Sequence, residues 1–348
     1  MKILIGEISS YKAIALSRYI RKSYPNYLLY TYDYQKFTKF IKTRYSSHHF
    51  RIDKTNYLNE IKEIIDKYNI NYFFPVINDT LAVFWRNKHE LKDSLDYLGA
   101  FSTYEKLNNK ATLHKIASEL GIRVPTIYKD LALAKPPIVV KPKNLSSAKG
   151  VRYIMNDDAK CKEEFYQDTI IQEYIEGVGV GYSFYCKDGF IVNGYGHKRL
   201  SEYPVSGGSS TYREEYLNAE MHEIASRVVR HLKYTGFAMF EFKLTDNNKL
   251  YLIEVNPRIW GSVNQGLINN NNYFEQILGP GYIDSSEQLT NIKTYISPLI
   301  YLSLLMYLLK FNIKPTLYFI KNIHNNKADI SIFDDPLGFF STILRRIV

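Results

Sequence analysis

The chain has 348 residues, which is too long for one small core and predicts two or three packed units with room for a ligand cleft between them. Apolar residues make up 45% of it and charged residues 23%, the balance of an ordered globular protein, which excludes a disordered chain. The net charge of +10 suits nucleic acid, an anionic membrane surface or a phosphorylated ligand, or it reflects solvated surface lysines.

The sequence lacks the features of a nucleic-acid-binding protein, a disulfide-rich protein and a secreted protein. The chain has no Arg-rich run or RNA-binding signature, so we expect no nucleic-acid partner. Its two cysteines, Cys161 and Cys186, cannot form a disulfide framework or a thiolate metal site. The N-terminal "MKILIGEISS" lacks the longer apolar stretch and cleavage site of a signal peptide, so we expect a cytoplasmic protein.

Strand and helix patterns alternate over the first hundred residues. The predicted strands are "KILIG", "YLLYTYD", "HHFRI", "NYFFPVI" and "LDYLGA". The predicted helices are "SYKAIALSRYIRKSY", "NYLNEIKEIIDKY" and "DTLAVFWRNKHELK". This alternation indicates βαβ units and a parallel sheet. The turn at Gly6 lacks the three spaced glycines of a dinucleotide-binding loop.

The central region reads as a mixture of hairpins and helices. A helix over 104–120 is ended by Gly121, and another runs from Asn218 to Leu232. The strand patterns are "IVVKPK" and "VRYI" around the loop "NLSSAKG", "TIIQEYI", a hairpin through Asp188-Gly189, and a hairpin turning at Asn247-Asn248. The segment "SEYPVSGGSSTYRE" is predicted to be a flexible connection.

The tail from about residue 291 has a different character. Thr294 to Leu309 carries no charge, but its 16 residues include a proline and fall short of the roughly 20 that span a bilayer. The pattern therefore predicts core-packing helices. The alternative is an interfacial amphipathic pair, with "GFFSTILRRIV" as a basic apolar end that could touch a membrane.

The stretch "LYLIEVNPRIWGS" contains the most informative polar residues. Glu254 and Asn256 alternate along a strand and so share a face, and Glu241 on the neighbouring strand could reach it. Two carboxylates and an amide oxygen are ligands that magnesium accepts together with phosphate oxygens. The alternative is that the acids pair with Lys243 and Arg258 on a solvated face, which the apolar setting "YLIEV" disfavours.

Cationic and small residues upstream suit a polyphosphate. Lys141 and Lys143 alternate on one strand, so one can face a cleft, and "NLSSAKG" after them is either a phosphate-cradling loop or a plain hairpin turn. The end of "IIQEYIEG" could present backbone groups to a base. The bidentate donors Arg199, Arg213 and Arg258 suit a carboxylate or a phosphoryl group, and His197 is either a base or a structural histidine.

The order of these segments across residues 1–280 resembles the ATP-grasp superfamily. The motifs are "KATLHKIASELGIRVP", "IVVKPK" with its loop, "IIQEYIEG", and "FEFK" with "LIEVNPRIWGS". The sequence is most similar to carboxylate–amine ligases related to the large subunit of carbamoyl-phosphate synthase. "FFPVINDTLAVFWRNKHEL", "HKRLSEYPVSGGSSTYREE" and "FEFKLTDNNKLYLIEVNPRIWGS" look like a branch of predicted carboligases with few assigned substrates.

The resemblance implies an α/β protein with an ATP-grasp fold, in which the ATP cleft lies between two α+β subdomains. The implied units are an N-terminal parallel-sheet domain (1–103), a small lid subdomain (104–180), a C-terminal subdomain with the magnesium site (181–290) and a helical C-terminal tail (291–348).

The resemblance also implies roles for individual residues. ATP would be held by Lys110 and Lys141, by the lid residues Ser146, Ser147 and Gly150, and by the adenine-binding linker Glu173, Tyr174 and Ile175, with Glu176 a candidate for the ribose. Magnesium or manganese would be held by Glu241, Glu254 and Asn256. The proposed catalytic arginines are Arg258, Arg199 and Arg213, and the substrate-facing residues are His197, Lys198, Ser209 and Ser210.

The implied activity is a ligase that phosphorylates a carboxylate with ATP and lets an amine capture the acylphosphate, giving ADP and phosphate. Its partners would be a small-molecule acid and amine, with peripheral membrane contact through the tail left open. Two alternatives remain at this stage: an ATP-binding module without ligase activity acting at a membrane surface, and a phosphotransferase to a non-carboxylate acceptor.

Overall fold

A computed structural model describes residues 1–34, 41–143, 150–156, 168–205, 207–269, 272–281 and 291–347. The described strands form three sheets of four, four and seven strands. The expected α/β architecture with an N-terminal parallel sheet is confirmed. Within the described residues, no helix has both the length and the apolar character needed to cross a membrane.

The N-terminal sheet is parallel throughout, with the order β3-β2-β1-β4. Its elements are β1 (Lys2–Ile5), α1 (Tyr11–Ser23), β2 (Leu28–Asp33), β3 (His48–Arg51), α2 (Tyr57–Tyr68), β4 (Tyr72–Phe74) and α3 (Asn78–Arg86). Helix α1 begins after Ser10, whose side chain accepts a hydrogen bond from the Ala13 N–H. The N-terminus of α1 therefore lies just past the carboxyl end of β1, the edge at which open α/β sheets bind ligands.

The expected strand in "LDYLGA" is wrong. Leu95 ends a 3₁₀ turn (Lys92–Leu95), and the Leu98 N–H donates to the Leu95 carbonyl. Nearby side chains bond the backbone of this segment: Lys88 Nζ donates to the Leu98 carbonyl, and the Trp85 indole to the Gly99 carbonyl. The side chains of Leu95, Tyr97 and Leu98 are buried, but the segment does not pair with a strand.

A break at Asn109 divides the single helix predicted over 104–120. The two helices are α4 (Phe101–Asn108) and α5 (Lys110–Glu119). Asn109 has an extended backbone, and its side chain caps α5 by accepting from the Thr112 N–H. The backbone N–H of Lys110 donates to the Lys143 carbonyl, so the start of α5 is fixed against the end of a strand in the next sheet.

The second sheet is small and antiparallel, with the order β5-β8-β6-β7. Its strands are β5 (Ile127–Tyr128), β6 (Ile138–Pro142), β7 (Arg152–Ile154) and β8 (Thr169–Glu173). Strands β6 and β7 pair as the sequence predicted. Ser146 and Ser147 of the connecting loop lie outside the described residues.

The third sheet has the order β13-β12-β9-β10-β11-β14-β15. Its strands and the intervening helices are β9 (Val178–Lys187), β10 (Phe190–Tyr203), β11 (Ser209–Glu215), α6 (Ala219–Leu232), β12 (Gly236–Leu244), β13 (Leu250–Asn256), α7 (Val263–Ile268), α8 (Glu275–Leu278), β14 (Lys293–Tyr295) and β15 (Asn326–Ala328). Both predicted hairpins, β9–β10 and β12–β13, are confirmed. The Phe237 ring of β12 lies 5.0 Å from that of Phe274 and 6.4 Å from that of Phe74, so the first and third sheets share one core.

The flexible connection predicted for "SEYPVSGGSSTYRE" is wrong. Strand β10 continues to Tyr203, and β11 begins at Ser209 and pairs with both β10 and β14. Thr211, Tyr212 and Arg213 are buried at the centre of this pairing. The glycines and serines suggested a loop. The segment forms a strand because β11 pairs with β14, which lies far along the chain, as well as with β10.

The C-terminal helices are α9 (Leu299–Leu309), α10 (Lys314–Lys321) and α11 (Pro336–Ile347). Helix α11 packs against the main core through Phe339 and Leu344, as expected, whereas α9 and α10 do not. Helix α9 buries only Ile300, Ser303 and Leu304, and α10 buries none of its residues. The other apolar side chains of α9 and α10 are mostly exposed.

Glu7 provides a test of what holds the N-terminal sheet together. Its buried carboxylate accepts hydrogen bonds from the hydroxyls of Tyr32, Tyr34 and Thr80 and from the N–H groups of Val76 and Ile77. We expect Glu7→Ala to lower the free energy of unfolding by about 3 kcal/mol, because buried donors would lose a charged partner.

Urea unfolding of Glu7→Ala and of Glu63→Ala, a change at an exposed position of α2, would measure the difference. Equal unfolding midpoints for the two variants would show that the Glu7 network does not stabilise the sheet.

Candidate active site

Two adjoining cavities lie where the three sheets meet. The larger has a volume of about 340 Å³ and extends to the N-terminus of α1. The smaller, of about 130 Å³, lies between the second and third sheets. Both are lined by Arg199, Gly207, Glu241 and Glu254, so these four residues form a wall common to the two spaces.

The centre of this wall is a pair of facing carboxylates. Strands β12 and β13 place Glu241 directly opposite Glu254, and the strand alternation puts Asn256 on the same side as Glu254. The Asn256 amide donates to Glu241 Oε1 at 2.9 Å and to Glu254 Oε1 at 3.3 Å. The residues predicted as metal ligands are therefore brought together in space.

Cations from four different elements surround the two carboxylates. Lys110 Nζ at the start of α5 lies 3.4 Å from Glu254 Oε2, and Lys141 Nζ of β6 donates to the Ile253 carbonyl at 3.2 Å. Arg199 of β10 pairs with Glu241, and Arg258 donates to Asn256 Oδ1 at 2.8 Å. Removing either carboxylate would leave the buried cations with less countercharge.

The environment shifts the pKa values of the two acids in opposite directions. Burial raises the pKa of Glu241, and the repulsion from Glu254 adds to this against the attraction of Arg199. Burial would also raise the pKa of Glu254, but Lys110 and Lys141 outweigh it and leave that pKa below its ordinary value. Glu254 is thus held as a carboxylate at neutral pH.

Lys141 is a strongly perturbed cation of the cluster. Burial lowers its pKa to about 8, with Lys110 acting in the same direction and Glu254 opposing it. Its charge is therefore sensitive to pH just above neutrality, and a polyphosphate placed beside it would favour the protonated form.

The residue types of this wall fit a divalent cation in part. Glu241 and Glu254 supply hard carboxylate oxygens, whereas the Asn256 oxygen could face a cation only after its amide rotates by half a turn. Among the described residues, no three His, Cys, Asp or Glu side chains converge on one point. A cation here would depend on the two carboxylates and on oxygen atoms of a ligand.

The predicted adenine linker lies beside the smaller cavity. Tyr174 and Ile175 line it, whereas the Glu173 carboxylate points to Thr126 and accepts from its N–H and hydroxyl. Glu176 is exposed and lines neither cavity. Gly150 also lines neither, and its positive φ of 72° and close approach to Pro142 fit its place at the end of the β6–β7 loop.

Three of the four predicted substrate-facing residues line the larger cavity: His197, Ser209 and Ser210. Burial, with Arg199 and Arg213 nearby, lowers the pKa of His197 well below its usual value and keeps the ring neutral. Lys198, the fourth residue predicted to face the substrate, does not do so. Strand alternation places it on the opposite face of β10 from His197 and Arg199, and it lines neither cavity.

The proposed catalytic role of Arg213 is also corrected. Its side chain is fully buried and pairs with Asp329, which also accepts from the Asn264 amide at 3.1 Å. Arg213 lines neither cavity. The other two predicted arginines do face the larger cavity, and Arg199 faces both.

Sequence reasoning missed the contribution of the β1–α1 turn. Ser9, Ser10, Tyr11 and Lys12 line the larger cavity, and the Ser9 hydroxyl is buried without a hydrogen-bond partner among the described residues. The position of this turn at the carboxyl end of a parallel strand was the available signal.

A second missed residue is Gln172. It lines the smaller cavity, and its buried Oε1 has no partner among the described residues. It immediately precedes the linker that sequence analysis singled out.

Comparison with known proteins identifies the domain. Residues 107–262 match the family model of the ATP-grasp domain. No curated protein sequence matches the chain.

Solved structures show the same fold at low identity. Pyruvate carboxylase from Rhizobium etli is 16% identical with a TM-score of 0.62, over 82% of this chain but only 29% of its own length. L-amino acid ligase from Bacillus licheniformis is 17% identical with a TM-score of 0.59, over 82% of this chain and 75% of the ligase. Biotin carboxylase from Campylobacter jejuni is 14% identical with a TM-score of 0.61, over 82% and 72% of the two chains. The chain therefore contains a domain at residues 107–262 that matches the ATP-grasp family, and it shares its fold with these solved structures.

Proposed function

We propose that this protein is an ATP-dependent ligase that activates a carboxylate as an acylphosphate for capture by an amine. The observation that carries the proposal is the common wall of the two cavities, where Glu241, Glu254 and Arg199 face both spaces. ATP would occupy the smaller cavity and the acid the larger one, so that the phosphoryl group is transferred at this wall.

The smaller cavity suits a nucleotide. Val139, Ile175 and Phe242 supply apolar surface for a base, and Lys110 and Lys141 supply positive charge for phosphates. The unpartnered Gln172 oxygen could accept a hydrogen bond from an exocyclic amino group of the base. Glu241 and Glu254 would hold a magnesium ion, which would supply charge neutralisation for the transferred phosphoryl group.

The reaction divides into two steps. A carboxylate oxygen of the acid bonds to the γ-phosphorus as the bond to the β-phosphate oxygen breaks, which releases ADP and leaves an acylphosphate. The amine nitrogen then attacks the acyl carbon, the bond from that carbon to the phosphate oxygen breaks, and phosphate leaves as the amine gives up a proton. Arg199 and Arg258, which line the larger cavity, would stabilise the negative charge that develops in the first step.

The larger cavity would receive the acid. It combines Arg258, the positive end of the α1 helix dipole and the Ser9 hydroxyl, all of which favour an anionic group. Because one structural relative is an L-amino acid ligase, amino acids and short peptides are the first acids and amines to test.

The ligase proposal predicts ATP-dependent phosphate release that requires a particular acid and amine. We expect Glu254→Ala to lower this turnover about a hundredfold or more, because it removes a charged group from the transfer site. A screen of acid and amine pairs for phosphate release, followed by mass analysis of the product, would identify the substrates.

Glu223→Ala on the exposed face of α6 is the matched control and should keep full activity. Unchanged turnover in Glu254→Ala would reject the role of this wall. Hydroxylamine in place of the amine should yield a hydroxamate, and phosphate transfer to an acceptor without any hydroxamate would indicate a phosphotransferase instead.

The lowered pKa of Lys141 predicts that ATP affinity depends on pH. Above about pH 8 the free protein carries a neutral Lys141, so binding ATP must take up a proton, and affinity should fall with rising pH, by up to about tenfold per pH unit. Titration calorimetry with ATP between neutral and alkaline pH would measure this. Lys141→Gln should bind ATP more weakly at neutral pH and show a flatter profile, and a flat profile for the unmodified protein would contradict the assignment.

Ser9 tests the placement of the acid. We expect Ser9→Ala to raise the KM for the acid about tenfold, the loss of one hydrogen bond to a charged group, without changing the KM for ATP. The control is Ser17→Ala, which changes a buried serine of α1 whose hydroxyl donates to the Ala13 carbonyl. An equal effect of both changes, or an effect on ATP alone, would place the acid elsewhere.

A further inference from the structure

The α9–α10 hairpin exposes an unusual amount of apolar surface. Helix α9 attaches to the third sheet through Ile300 and Leu304, and its Ser303 hydroxyl donates to the Glu202 carbonyl at 2.9 Å. Most of its other large apolar residues and several from α10 face solvent: Tyr301, Leu302, Leu305, Leu308, Leu317 and Ile320. Apolar surface of this kind on a folded chain marks an interaction site.

The connection between the two helices, residues 309–313, is the most exposed part of this surface. We call it the hairpin tip. Phe311 is 98% exposed, Leu309 65% and Ile313 52%. Each alternates with a polar residue along the tip, in the order Leu309, Lys310, Phe311, Asn312 and Ile313.

A phenylalanine is unfavourable at position 311 for two reasons, its exposure and its backbone conformation. Its φ of 57° lies in the left-handed region, where glycine or asparagine usually closes a helix and a bulky side chain is disfavoured. Its N–H donates to the Leu308 carbonyl and the Asn312 N–H to the Tyr307 carbonyl, so the backbone closes α9 whatever the side chain. Neither burial nor backbone geometry within this chain explains a phenylalanine here.

The charged residues around the hairpin tip indicate which kind of surface would bind it. Residues 291–328 contain no Asp or Glu, whereas Lys310, Lys314, Lys321 and Lys327 are all exposed. The neighbouring Glu214 of β11 accepts from the Tyr318 hydroxyl and lies 3.9 Å from Lys293 Nζ, so it is already engaged. A second copy of this chain would bring lysines against lysines, while an anionic surface would be attracted to them.

We propose that the hairpin tip docks on a membrane surface that contains anionic lipid. Leu309, Phe311 and Ile313 enter the outer part of the acyl layer, while Lys310 and Lys314 remain at the level of the phosphates. Contact without spanning agrees with the length of α9 and α10. Because Ser303 fixes α9 to the strand that carries Arg199, docking would hold both cavities near the lipid surface.

Vesicle co-sedimentation tests the proposal directly. The full chain should sediment with vesicles of phosphatidylcholine and phosphatidylglycerol at low salt, and much less with phosphatidylcholine alone. The triple change Leu309→Ser, Phe311→Ser and Ile313→Ser should weaken binding at least about tenfold, because insertion of apolar side chains is lost. Lys310→Glu with Lys314→Glu should abolish the preference for the anionic lipid.

The controls separate docking from misfolding and from self-association. Phe333→Ser removes an equally exposed phenylalanine, 94% exposed, outside the hairpin and should leave binding unchanged. All changed positions face solvent, so thermal unfolding should match that of the unmodified chain.

Failure of the unmodified chain to bind anionic vesicles, or equal binding by the triple variant, would overturn the proposal. A concentration-dependent dimer that the triple variant loses, without any vesicle binding, would show that a second copy covers the tip. Neither outcome bears on ATP turnover, so the ligase proposal stands or falls separately.

Discussion

The buried carboxylate pair Glu241 and Glu254 is the constraint on which the rest of the site depends. Two acids facing each other across β12 and β13 repel, and burying them is costly unless cations and hydrogen bonds compensate. The compensation comes from α5, β6, β10 and the turn after β13, which supply Lys110, Lys141, Arg199 and Arg258. The same charges that stabilise the pair also form a surface on which a polyphosphate and a divalent cation could replace the present contacts.

A second buried network holds the elements behind this wall. Arg213 of β11 pairs with Asp329, Asp329 accepts from Asn264 of α7, and Asn264 accepts from Arg18 of α1 at 2.6 Å. These residues come from distant parts of the sequence and connect the N-terminal helix with the region after β15. Arg213, which the sequence suggested as a catalytic residue, is therefore part of a buried structural network. The sequence pattern did not indicate this, because its carboxylate partner Asp329 lies 116 positions away.

The C-terminal hairpin contrasts with both networks. Whereas the buried carboxylates of both networks have cationic or amide partners, α9 and α10 leave apolar side chains and lysines facing solvent. An uncharged run of 16 residues can be a core helix or an interfacial one, and composition does not distinguish them. The tertiary structure decides between them: α9 contacts β10 and β11 and buries only Ile300, Ser303 and Leu304.

The sequence by itself determined most of the local elements and the residue types of the wall. Periodicity predicted the parallel sheet, the β9–β10 and β12–β13 hairpins and the common face of Glu254 and Asn256, because strand alternation and turn residues act over short distances. Only the tertiary structure decided which cations meet these acids, that Lys198 and Arg213 lie outside the cavities, and that Ser9 and Gln172 line them. Each of those outcomes depends on pairing between segments far apart in the chain, which a local pattern of residues does not encode.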